Sequence, residues 1–203
     1  GYSSNFFSDD SSTYEVKLED NKLVLAKKPQ PPVTTGHEHF LCGGNTCNLP
    51  QGVTHPGCTS TTFKAWNKTN ELPTGADKYY LTQDVTLSST WEPKDGTVLC
   101  LNGHSITGPN KDDSDGYVIR VSKQNATFTL CDCKGDTNND GKITHAQGTK
   151  GSGVQVLFGT FNLYGGSITG NTRSDGTGGV YVAENKVIFN MYGGSITGNT
   201  GSY

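Results

Sequence analysis

Phe161 to Thr172 (FNLYGGSITGNT) recurs almost letter for letter as Phe189 to Thr200 (FNMYGGSITGNT), 28 residues further on. A repeat of that length is one supersecondary unit, which cannot bury its own apolar face and has to stack on its neighbours. Inside each unit the apolar residues come in short alternating bursts. Val154 and Val156, then Phe161 and Leu163, then Ile168 are answered by Val180 and Val182, Phe189 and Met191, and Ile196. A period of two belongs to strands rather than helices. Glycine pairs (Gly165-Gly166, Gly193-Gly194) and Gly-Asn-Thr turns (Gly170 to Thr172, Gly198 to Thr200) separate the bursts where the chain has to bend sharply. Three strands and three turns per unit predict one coil of an all-β fold, the right-handed parallel β-helix. A leucine-rich repeat would require its Leu and Asn ladder, and a propeller blade about four strands in a longer unit.

Upstream the pattern continues more weakly. Ile119 and Val121, Phe128 and Leu130, and Ile143 fall into the same three slots, Leu99 and Ile106 fill two of them, and the bursts at Tyr79 to Leu81 and Val85 to Leu87 open the series. Residues 79–203 therefore read as about four stacked coils, above the ~3 that a solenoid needs. Composition agrees: 27 glycines in 203 residues, a single Met and 17% charged residues suit a turn-rich β solenoid with a narrow core. A formal charge of −3 offers no basic face for nucleic acid. No apolar run approaches the ~18 residues needed for membrane insertion. No signal peptide opens the chain, which begins at Gly1 and stops inside a repeat at Tyr203; it reads as an excised piece of a longer protein.

Residues 1–35 have another character. Ser3 to Thr13 is serine-rich and acidic, and the apolar runs Tyr14 to Leu18 and Leu23 to Ala26 flank Glu19-Asp20-Asn21, which predicts a β-hairpin. Lys27 to Pro32 (KKPQPP) follows as a stiff, polyproline-like linker, so the stretch reads as an inter-module connector.

Residues 36–78 read as a loop-rich cap held by a metal or a disulfide, and carry most of the reactive side chains. His39-Phe-Leu-Cys42 and His55-Pro-Gly-Cys58 are two His-x-x-Cys pairs. A two-residue gap lets both side chains of a turn reach one ion, and two such turns complete a tetrahedral nitrogen and sulfur shell suited to Zn2+. His39, Cys42, His55 and Cys58 are the candidate zinc ligands, with Cys47 and His37 in reserve. Four protein ligands would make that zinc structural. The competing reading is a disulfide of Cys42 with Cys47 or Cys58. Phe63, Trp66 and Asn67 within Thr62 to Leu72 are near-helical in spacing and predict a short helix laid over the open end of the first coil.

Within the coils, aligning Val98-Leu99-Cys100 with Thr129-Leu130-Cys131 puts Cys100 and Cys131 in one column, ~4.8 Å apart strand to strand, where a disulfide is feasible; Cys133 is the alternative partner. The same column continues as Tyr164 and Tyr192, an aromatic ladder that suits sugar rings where it is exposed. Asp136 to Ile143 (DTNNDGKI) has oxygen donors at positions 1, 3 and 5, glycine at 6 and an aliphatic residue at 8. Asp136, Asn138 and Asp140, with Lys142, thus resemble a Ca2+ loop of the EF-hand or dockerin kind, although position 12 is Gln147 rather than a bidentate Glu.

The ordered series His37 to Cys47 (HEHFLCGGNTC), Leu72-Pro73 leading into Tyr80 to Leu87 (YLTQDVTL), Val98 to Ile106 (VLCLNGHSI) and the YGGSITGNT coils resembles β-helix modules in very large surface proteins of Gram-positive gut anaerobes. The resemblance covers residues 37–203 and implies a secreted, cell-surface chain, wall-attached through modules outside this fragment, with an adhesive or host-binding role. The expected partner is a host protein or glycan, such as a mucin, matrix protein or immunoglobulin. Outward positions on neighbouring coils, namely Arg173, Asn162, Asn190, Tyr164 and Tyr192, are the candidate contacts. Parallel β-helices also carry polysaccharide lyases and hydrolases, whose chemistry needs paired carboxylates or calcium beside a basic residue. Asp132, Asp175, Glu184, His104, His145, Arg120 and Arg173 are available, but no two carboxylates share a column, and either histidine reads as a surface or turn residue. The expectation is therefore a binding module with no catalytic residues, with the enzyme and a passive stalk as alternatives.

Overall fold

The structure, a computed structural model, describes residues 14–19, 22–27, 37–40, 60–112, 116–133, 140–183 and 186–202. The chain divides into two compact units, 1–35 and 36–203. In the first, β1 (Tyr14–Glu19) and β2 (Lys22–Lys27) pair antiparallel, with Tyr14 opposite Lys27 and Glu19 opposite Lys22. That is the hairpin its two apolar runs call for.

The described residues of the second unit are strands and turns, with no helix among them. It opens with β3 (His37–Phe40), β4 (Ser60–Trp66), β5 (Lys78–Leu81) and β6 (Val85–Thr86). Next come β7 (Val98–Cys100), β8 (Ile106–Thr107), β9 (Tyr117–Val121), β10 (Thr127–Cys131), β11 (Lys142–Thr144) and β12 (Ser152–Val156). The series closes with β13 (Thr160–Leu163), β14 (Ser167–Thr169), β15 (Val180–Val182), β16 (Ile188–Met191) and β17 (Ser195–Thr197). These strands build three sheets, in the orders β16-β13-β10-β7-β5-β4-β3, β17-β14-β11-β8-β6 and β15-β12-β9. Every pairing is parallel except β3 with β4. From β7 onward the chain visits the three sheets in turn and each strand pairs with the one three places on, an arrangement compatible with a parallel β-helix.

The register joins residues that share a slot in the sequence pattern. Phe128 faces Phe161 and Phe161 faces Phe189; Leu99, Leu130 and Leu163 line up, as do Ile106, Ile143 and Ile168. Those aliphatic side chains and Phe161 are fully buried, because on a pleated strand every second residue points into the space between the sheets. The three phenylalanines stack with centroids 5.6 and 5.2 Å apart and rings within 11° of parallel. Trp91 meets Phe128 edge-on at 5.4 Å and donates its indole N–H to the Pro73 carbonyl at 2.9 Å. The second glycine of each YGG turn has positive φ, +87° at Gly166 and +78° at Gly194. A Cβ at Gly194 would lie 2.5 Å from the Gly166 carbonyl oxygen, so successive turns nest only because this side chain is absent.

The expected helix over Thr62 to Leu72 is corrected: Ser60–Trp66 is β4, and Asn67 to Leu72 are irregular with a bend at Thr69-Asn70. A helix this short is weak in isolation. Extended, the same residues gain backbone partners on both sides, with His37 opposite Phe63 on β3 and Ala65 beside Tyr80 on β5. Trp66 packs edge-on against Tyr79 at 5.7 Å, and its indole N–H bonds the Glu71 carbonyl at 2.8 Å.

Candidate metal centre

Parallel pairing of β7 with β10 sets Cys100 beside Cys131 at the C-terminal ends of the two strands. The chain leaves β7 through Leu101-Asn102-Gly103, with Asn102 and Gly103 both at positive φ (+51° and +78°), and leaves β10 through Asp132-Cys133. The two exits bring Cys100, Asp132 and Cys133 together, with their donor atoms all within 4.8 Å of one another. These three side chains could hold a metal ion. Cys100 and Asp132 are fully buried and Cys133 is half-buried.

A carboxylate buried this deeply is costly unless donors meet it. Asp132 Oδ1 accepts the Gly103 N–H at 2.8 Å and Oδ2 the Gly141 N–H at 2.6 Å, which ties the turn after β7 to the residue before β11. Gly141 has no alternative there, since a Cβ would crowd Leu101 and lie 2.7 Å from the His104 carbonyl oxygen. Asn102 donates its amide N–H to the Leu81 carbonyl at 2.9 Å, and this fixes the amide so that Oδ1 faces Cys133 Sγ at 3.4 Å.

Cys100 and Cys131 share a column, as the alignment requires, and the Cys100 and Cys133 sulfurs lie 3.7 Å apart. That distance is a thiol contact rather than the ~2.05 Å of a disulfide, and all three cysteines are thiols. In-register alignment sees only strand neighbours, whereas Cys133 lies past the end of β10 and turns back.

The aromatic column forms: Tyr164 and Tyr192 lie 4.7 Å apart with planes tilted by 32°. It is not an open platform, and here the expectation is corrected. Tyr164 is only 7% exposed, packed in an apolar cluster with Phe63, Val98, Cys100 and Cys131, and Tyr192 is half-buried beside it. Asn162 and Asn190 spend their amides along their own column, Asn190 donating to Asn162 Oδ1 at 3.0 Å and Asn162 to Thr129 Oγ1 at 3.4 Å. Arg173 lies over the Tyr117 ring at 5.2 Å and donates to Ser152 Oγ at 3.3 Å and to the Asp175 carbonyl. It acts as a clamp between coils.

His145 is not a surface histidine: it is 4% exposed, and its Nδ1 lies 2.7 Å from Asn171 Oδ1. Asn171, itself fully buried, donates its amide N–H groups to the Ile143 carbonyl at 3.1 Å and to Asn199 Oδ1 at 2.8 Å. Its oxygen is therefore the group facing the imidazole, and Nδ1 must carry the proton. Nε2 is buried with no hydrogen-bond partner, against Gly151 and Gly108, where a Cβ would come within 2.5 Å of it. Burial pushes the His145 pKa down, against the opposing pull of the Asn171 hydrogen bond and of the nearby Pro109 and Gly116 backbone. Unfolded, the imidazole titrates near 6.5, so below that value the unfolded chain binds the proton that the folded chain resists. The stability that neutral His145 contributes is present above pH 6.5 and is lost as the pH falls through its lower folded value. Urea unfolding from pH 8 to pH 5 should show this decline, and His145→Gln should flatten it. A decline of equal depth in both proteins would place the acid sensitivity elsewhere.

Of the cap ligands, His37 and His39 belong to β3, of which the backbone alone is described, and Cys42, Cys47, His55 and Cys58 lie outside the described residues. Asp136 and Asn138 lie outside them as well. At the near end of that loop, Asp140 Oδ1 is shielded from solvent and has no hydrogen-bond partner, and Lys142 is an exposed residue of β11. Cys100, Asp132 and Cys133 are the site residues that sequence reasoning passed over as metal ligands. The signal was present in Cys131-Asp132-Cys133 one coil after Cys100.

Comparison with protein-family models, curated proteins and solved structures finds no match for this chain. Among the described residues no helix is long and apolar enough to cross a membrane.

Proposed function

We propose that the chain is a right-handed parallel β-helix module of a secreted, wall-attached bacterial surface protein, and that it binds a host protein or glycan along one rigid outward face. The observation that carries this reading is the in-register row Arg120, Gln155, Tyr181 across β9, β12 and β15. Arg120 donates from Nε to Gln155 Oε1 at 2.7 Å, and its guanidinium lies 3.5 Å from Glu92 Oε1, which holds the polar end of the row in place. Tyr181 at the other end is 39% exposed, and Phe158, just past β12, is 44% exposed. An aromatic surface beside fixed hydrogen-bonding groups suits a sugar or an extended polar peptide, and a row locked in register loses little conformational entropy on binding. Zinc at His39, Cys42, His55 and Cys58 and calcium at Asp136, Asn138, Asp140 and Lys142 complete the proposal as structural ions, on ligand type and spacing.

The test is retention of the chain on immobilised mucin glycans, matrix proteins and immunoglobulins, with the supernatants assayed for released saccharide. Saturable retention without release is expected, weakened about tenfold or more by Tyr181→Ala, as for an aromatic anchor near the centre of an interface. Released sugar would replace the binding module with a polysaccharide-degrading enzyme. No retention on any surface would leave a passive stalk, and retention indifferent to Tyr181→Ala would move the contact off this row.

A further inference from the structure

We infer that Cys100, Asp132 and Cys133, joined by Asn102, form a metal centre of their own for a zinc-class divalent cation, separate from the His/Cys segment before β4. Distances carry the argument. Two thiolates each ~2.3 Å from a tetrahedral ion lie about 3.8 Å apart, and the Cys100 and Cys133 sulfurs are separated by 3.7 Å. A thiolate and an oxygen ligand around the same ion lie about 3.5 Å apart, and Cys133 Sγ is 3.4 Å from Asn102 Oδ1. Two of the spacings of a tetrahedral shell are therefore already present, and the Asp132 carboxylate lies within 4.8 Å of both sulfurs.

The surroundings match what a metal needs from its second shell. Both Asp132 oxygens are held by backbone N–H groups, from Gly103 and Gly141, which fixes the carboxylate in place. The Asn102 amide is oriented by the Leu81 carbonyl, so its oxygen is presented with no rotamer left to fix. Two thiolates make the site soft and select zinc over calcium or magnesium, whose all-oxygen preference they do not meet. Loading is a simple exchange, in which the dication enters, two thiols release their protons to solvent and two metal–sulfur bonds form with no change of oxidation state. Affinity should accordingly rise with pH. Four protein donors leave no open position, so the ion is structural. It would fasten the exit of β10 to the exit of β7, the same two turns that Asp132 already bridges.

The test uses the full 203-residue chain under reducing conditions, with Cys42, Cys47 and Cys58 changed to serine so that the other cysteine segment contributes no thiolate. Cobalt(II) titration should give one equivalent bound, with a thiolate-to-metal charge-transfer band and tetrahedral visible bands that zinc displaces. Cys133→Ser should weaken the charge-transfer band, Cys100→Ser with Cys133→Ser should abolish it, and Asp132→Asn should weaken binding more than tenfold, as loss of a ligand or its support does. A triple-serine chain that binds no cobalt while keeping the circular dichroism of the parent, or a band undiminished by Cys133→Ser, would overturn the proposal. The unmutated chain gives an independent measurement in case these variants misfold. Alkylation followed residue by residue should slow at Cys133 in zinc and recover on chelation, and equal rates with and without zinc would overturn it as well.

Discussion

Phe161→Ala should lower the stability of the second unit by about 3–5 kcal/mol, the range found when a buried phenylalanine is emptied. Phe161 is fully buried and lies between two parallel rings, Phe128 at 5.6 Å and Phe189 at 5.2 Å, so truncation removes two stacking contacts besides the transfer term. The rigid sheets on either side leave little freedom for the hole to collapse. In a stacked array each repeat is held largely through its interfaces with its neighbours, and among the described residues β16 and β17 pair with β13 and β14 alone, so they should open first. Urea unfolding followed by far-ultraviolet circular dichroism measures the loss, and amide exchange on β16 relative to β10 locates it. Asn162→Ala is the control, one residue along and facing outward, where a half-buried amide in a polar ladder is worth about 1 kcal/mol. Equal shifts from the two substitutions would mean that the phenylalanine stack does not hold the coils together.

The phenylalanine stack and its register were legible in the chain because period-two bursts and glycine turns are local signals, and one near-perfect repeat fixes the spacing of the rest. What was not legible depended on partners remote in sequence. Phe63 and Trp66 sit three residues apart, a spacing that satisfies a helix equally well, and only the edges of β3 and β5 decide for the strand. Alternation told which way Tyr164 points but not that Phe63, Val98 and two cysteines would close around it. The alignment that paired Cys100 with Cys131 kept Cys133 as an alternative but ended where β10 ends, and so did not join the buried Asp132 to the two sulfurs. His145 read as a turn residue because its partner Asn171 comes 26 positions later, on the next coil.

Asn171→Ala tests that pairing, with an expected cost of about 2–5 kcal/mol, since a buried donor or acceptor left without its partner costs ~1–3 kcal/mol. The substitution strands the His145 Nδ1–H and takes a donor from the Ile143 carbonyl and from Asn199 Oδ1. Asn199→Ala should cost less. Asn199 is half-buried, and its loss leaves Asn171 still bonded to His145 and to Ile143. The two substitutions also separate by pH. The Asn171 hydrogen bond supports the charged imidazole, so removing it lowers the folded His145 pKa further and widens the interval in which only the unfolded chain takes the proton. Asn171→Ala should therefore lose stability more steeply than the parent below pH 6.5, and Asn199→Ala should run parallel to the parent. In the double variant with His145→Gln the extra steepness should vanish. If it persisted, the imidazole would not be the group through which this asparagine makes the coils acid-sensitive.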